Sequence, residues 1–61
     1  MKKLFLEQEL RALGCSFYRN GGNHDIWCYE NERKFPFPRH ADVNEITAKS
    51  MIKKAKGNRR G

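Results

Sequence analysis

The residues best suited to chemistry lie in one stretch, Arg19-Asn20-Gly21-Gly22-Asn23-His24. Histidine is the side chain that exchanges protons most readily near neutral pH. Asn-Gly-Gly-Asn is a turn signal, because these residues reach positive φ at low steric cost. Apolar-rich segments flank it, Cys15–Tyr18 before and Ile26–Tyr29 after, so the stretch reads as the tight connection of a β-hairpin. His24 then stands at the first rung of the second strand, beside backbone that Gly21 and Gly22 leave bare. A bulky polymer can approach the imidazole there. An acid–base catalyst acting on RNA fits this setting, since RNA carries its own nucleophile in the 2′-hydroxyl and needs mainly a proton acceptor. Spacing alone does not separate that role from a surface histidine at a hairpin mouth.

The charge balance favours an anionic partner. Lysine and arginine number 13 against 7 acidic residues in 61, a net charge of +6. Nucleic acid and an acidic protein both fit; no helix has the strongly apolar face of a membrane binder. Arg19 and Lys34 are candidates to stabilise the charge that grows on a scissile phosphate, with solvated surface charge as the competing reading. Arg39, His40 and Lys53 complete the candidate RNA contacts, although His40 equally reads as a loop residue stabilising its turn. There is no carboxylate cluster suited to Mg²⁺, so no metal and no cofactor is expected. A zinc site from Cys15, His24, Cys28 and His40 lacks the usual short ligand pairs. The two cysteines read as small packed thiols in a reduced, cytoplasmic setting, with no signal peptide and no span long enough for a bilayer.

The elements that must position these groups follow from periodicity. Lys3 to Leu13 reads as a helix with Leu6, Leu10 and Leu13 on one stripe, a Glu7–Arg11 pair at i, i+4, and Gly14 as its left-handed stop. Cys15–Arg19 reads as a first strand, placing Arg19 on the face of Cys15 and Phe17. His24–Glu30 reads as a central strand, with His24, Ile26 and Cys28 on one face and Asp25, Trp27 and Tyr29 on the other. Both faces carry apolar groups, so the pattern does not say which one is open. Trp27 and Tyr29 read as packing residues before base-stacking platforms. Arg33–Phe37 reads as a third strand, confined to an edge by Pro36 and ended by Pro38. A second helix spans about Asn44 to Lys56, with Asp42 and Asn44 competing to cap it and Ala48, Met51, Ile52 and Ala55 facing inward. The last five residues, 57–61, read as a frayed basic tail. The economical solution is a single α+β domain: helix–strand–strand–strand–helix, a three-stranded antiparallel sheet with both helices on one face.

That order, with the residues that fill it, resembles the HicA family of bacterial toxins over nearly the whole chain, from Leu6 to about Gly57. Four features carry the resemblance. A leucine-rich helix ends in Gly14. Arg19 precedes the glycine turn and Gly22-Asn23-His24-Asp25-Ile26-Trp27. A third strand runs into Pro38-Arg39-His40. Thr47 opens an amphipathic helix with Met51-Ile52 on its buried face. Members often carry a serine and a second histidine where this chain has Asn23 and Asp25. The resemblance implies a fold like that of a double-stranded-RNA-binding domain. It implies a type II toxin that cleaves messenger RNA and inhibits translation. It implies His24 as the catalytic residue, with Gly22 and Asn23 in its turn. It also implies a HicB-like antitoxin that covers the site. The free toxin is expected to be a monomer. The alternative is a non-catalytic RNA-binding module of double-stranded-RNA-binding-domain type.

Overall fold

The computed structural model describes residues 1–59. Its elements are α1 (Lys3–Ala12), β1 (Ser16–Asn20), β2 (Asp25–Cys28), β3 (Lys34–Phe37) and α2 (Glu45–Gly57). The strands form one antiparallel sheet in the order β1-β2-β3, so β2 is central and the proline-bearing β3 is an edge. This is the expected α+β layout.

One core joins the layers. Leu6 and Leu10 of α1 and Ala48 and Ala55 of α2 are buried with Trp27, Tyr29, Phe35 and Phe37 of the sheet. The covered face is therefore that of Trp27 and Phe37, and the face of Ile26 and Cys28 is open. Trp27 stacks on Phe37 at 4.7 Å and Tyr29 on Phe35 at 4.3 Å between ring centroids. Burying an aromatic of this size contributes about 1.5–3 kcal/mol, so these rings dominate the stability of a short chain. They serve as packing, with their faces stacked on one another. Arg11 lies over the Trp27 ring at 4.8 Å, in place of the expected pair with Glu7. A cation–π contact against a buried indole outweighs an exposed i, i+4 ion pair.

Local chemistry accounts for the element ends. Gly14, at φ +89°, stops α1, and a Cβ there would fall 2.8 Å from the Cβ of Glu30. Asn44 wins the competition to cap α2: its side chain accepts a hydrogen bond from the N–H of Ile46 at 2.8 Å. Asp42 is instead drawn into a short bridge with Lys2, beside backbone bonds from Lys3 N–H to Ala41 and from Val43 N–H to Met1. At the far end of α2 the expected tail begins in order. Gly57 is helical, and Asn58 donates to the Lys54 carbonyl and accepts two hydrogen bonds from Asn31. Residues 60 and 61 of that tail lie outside the described residues.

Candidate active site

The hairpin between β1 and β2 closes on a two-residue loop, Gly22-Asn23. The N–H of Gly21 donates to the carbonyl of His24 at 2.8 Å, one step beyond the Asn20–Asp25 pair. His24 thus belongs to the turn, and β2 begins at Asp25. Neither glycine uses positive φ, and only Gly21 is required for want of space. A Cβ on Gly21 would sit 2.4 Å from the His24 carbonyl oxygen, a contact that no real side chain makes. A Cβ on Gly22 would meet nothing within 4 Å, which leaves the approach to the turn open. The His24 side chain is exposed and forms no hydrogen bond with the described residues.

Arg39 clasps this turn from the connection between β3 and α2. Its Nε donates to Asp25 Oδ1 at 3.0 Å, Nη2 to the Gly21 carbonyl at 2.9 Å, and Nη1 more loosely to the Gly22 carbonyl at 3.4 Å. The planar guanidinium fork suits three acceptors fanned in this way. Asp25 is thereby identified as a member of the site. The sequence pattern assigned Asp25 no partner, because Arg39 is distant along the chain.

Arg19 is re-aimed by an irregularity. The β1–β2 register shifts between Phe17 and Arg19, leaving Tyr18 unpaired as in a β-bulge. Arg19 then pairs with Ile26, on the open face, and leaves the face of Phe17 where strict alternation put it. That brings it next to the His24 turn, where its Nη1 donates to the Asn20 carbonyl at 3.2 Å. Lys34 is at the other end of the open face. It pairs with Cys28, four residues from His24, a separation of about 13 Å along the strand. Its Nζ donates to the Glu32 carbonyl at 2.8 Å and lies 4.6 Å from the Tyr18 ring centroid. By register Arg19 is the nearer of the two cations to the turn. His40 follows Arg39 in the exposed connection.

A groove of about 480 Å³ starts at His24 and runs between β3 and α2. Lys54 lines it, whereas the neighbouring Lys53 does not; one residue along a helix turns a side chain by about 100°. Cys15 is buried in the core while Cys28 shares the open face with Lys34, and both are free thiols. Among the described residues no three His, Cys, Asp or Glu side chains are grouped to hold a metal ion, and the Cys15–His24–Cys28–His40 set does not converge. No helix is long and apolar enough to cross a membrane.

A glycine turn presenting a free histidine, on a small α+β domain of this element order, is matched by one family model. The model, described as HicA toxin of bacterial toxin–antitoxin, aligns with residues 6–56. The chain belongs to the HicA toxin family. It is accordingly the toxin member of a toxin–antitoxin pair, whose partner is HicB, in a family whose toxins generally act as ribonucleases. The match spans the whole site described above: the glycine turn with His24, the Arg39 clasp and the groove-lining flank of α2. No curated protein and no solved structure matches the HicA chain.

Proposed function

We propose that this HicA chain is a metal-independent endoribonuclease that cleaves messenger RNA and so inhibits translation, with His24 as its acid–base catalyst. The observation that carries the reading is the state of His24: an exposed imidazole with no hydrogen bond among the described residues, on a backbone clamped by Arg39. The ring has room to meet a substrate, and Arg39 holds the backbone that carries it. In the step envisaged, His24 removes the 2′-hydroxyl proton of RNA. The 2′-oxygen attacks the adjacent phosphorus, and the bond to the 5′-oxygen breaks. That oxygen leaves with a proton from a general acid, giving a 2′,3′-cyclic phosphate and a 5′-hydroxyl. A positioned general base contributes about 10²–10⁴-fold. Arg19 is the cation best placed to neutralise the phosphate, as guanidinium groups pair with its oxygens.

The open turn and the excess positive charge also suit inhibition by an acidic surface of the HicB partner laid over His24. The deciding experiment incubates end-labelled RNA with the wild-type chain and with His24→Ala, each with excess EDTA. Wild-type cleavage that survives EDTA and is lost on substitution, with RNA binding retained, supports the reading. Cleavage by His24→Ala at the wild-type rate would refute the role of His24. Cleavage abolished by EDTA would refute metal independence. Binding without cleavage by the wild type would leave an RNA-binding module.

A further inference from the structure

We propose that the groove between β3 and α2 is a nucleotide subsite. It takes up the unstacked base of a single-stranded RNA residue beside the bond cleaved at His24, and Lys54 contacts the next phosphate. The proposal rests on the RNA reading above and names the form of RNA that the site accepts.

The orientation of the groove follows from two fixed ends. The β2–β3 register pairs Asp25 with Phe37, so His24 lies across from Pro38. At the opposite end Asn58, which caps α2, is bonded to Asn31 in the β2–β3 turn. Helix α2 therefore runs antiparallel to β3. Its first turn, with Ile46, lies at the His24 end, and Lys54 lies toward Tyr29 and Phe35. Eight residues of helix separate Ile46 from Lys54, about 12 Å. The groove is thus a track leading away from the catalytic turn, with a cation near its far end.

Its lining suits a nucleobase. Pro36, Pro38 and Met51 line it together with the largely buried rings of Tyr29 and Phe35. Thr47 and Ser50 on the α2 side supply hydroxyls that donate or accept as a base edge requires. A volume of about 480 Å³ falls within the range of small-ligand sites. Ile46, at the mouth, is 80 % exposed, an apolar side chain that the isolated fold does not use. Lys54 complements a phosphate and makes no ion pair among the described residues. A base paired inside a duplex cannot reach such a groove, so the shape selects an unpaired strand.

The test measures binding of a short fluorescent 2′-O-methyl RNA, which cannot be cleaved through its 2′-oxygen. The probe is used single-stranded and annealed to its complement. Ser50 and Thr47 are exposed, so Ser50→Trp and Thr47→Trp fill the groove without touching the core. Each should weaken single-strand binding by about 10-fold and leave duplex binding unchanged, the loss expected when one stacked base is displaced. Lys54→Gln should reduce the slope of log affinity against log salt by about one. Unchanged single-strand affinity in both tryptophan variants would overturn the proposal, as would an equal loss for the duplex. A groove used only by a protein partner gives that unchanged RNA affinity. If wild-type chain fails to cleave unmodified RNA while the groove effects hold, the subsite stands as a binding site and the catalytic reading alone falls.

Discussion

The two hairpin turns of this small sheet are held in opposite ways. The β2–β3 turn is sealed by backbone and carboxamide bonds: Asn31 N–H to the Asn58 carbonyl at 3.1 Å, and Asn31 Nδ2 to Asn58 Oδ1 at 2.9 Å. Glu32 holds a positive φ of 73° there, a strained conformation that the surrounding bonds impose. The β1–β2 turn, by contrast, is gripped by one half-exposed guanidinium and leaves its histidine bare. The difference teaches where order is spent. The first turn closes the fold by docking the end of α2. The second is steadied at its carbonyls and one carboxylate, which holds the backbone and leaves the imidazole exposed.

That contrast is open to attack by mutation. The largest effect is expected at Gly21. Gly21→Ala forces a Cβ against the His24 carbonyl and should cost about 1–3 kcal/mol in denaturant titration and most of the RNA cleavage. Gly22→Ala should stay within about 0.5 kcal/mol of wild type, because its Cβ meets open space. Equal stability losses at both glycines would break the account of the turn. Next comes the structural turn: Asn58→Ala should lower stability by about 1 kcal/mol while the cleavage rate per folded molecule stays unchanged. Arg39→Ala should do the reverse. Its contacts are exposed, so the loss of stability should stay below about 1 kcal/mol. Cleavage should fall about 10-fold, and the Gly21 amide should exchange hydrogen faster in NMR. Undiminished cleavage would demote Arg39 to an ordinary surface cation.

The smallest effect is that of alkaline pH. Burial raises the Cys15 thiol above its ordinary 9.0 and the Tyr29 phenol above its ordinary 10.0. A raised folded-state value means that the unfolded chain loses its proton first. These groups therefore support the fold fully below about pH 9, and that support declines as pH climbs through the folded values. Melting temperature should drop across that alkaline window, and Cys15→Ser should shrink the Cys15 part of the decline.

Much of the architecture was legible residue by residue. Leu6 and Leu10 at i, i+4, Gly14 behind them, and Ala48 and Ala55 seven apart gave both helices and their buried stripes. Pro36 marked the edge strand. The turn around His24 was legible too, although neither glycine takes the expected positive φ and only Gly21 serves clearance. Arg19 was misplaced because a bulge at Tyr18 breaks period-two alternation, and no residue type announces it. Lys53 and Lys54 are equivalent in a composition argument, and only the docking angle of α2 separates them. Asp25 was passed over because its partner comes fourteen residues later.

What the sequence by itself determined is what neighbours along the chain decide: turn chemistry, helix faces, caps, and the excess of positive charge. Tertiary structure alone decided which sheet face lies open, that Arg39 closes on Gly21 and Asp25, and that a groove leads from His24 to Lys54. The physical reason is that these depend on strand register and on how the helices seat against Trp27 and Phe37. Such contacts are made across long separations, and no local pattern encodes them singly.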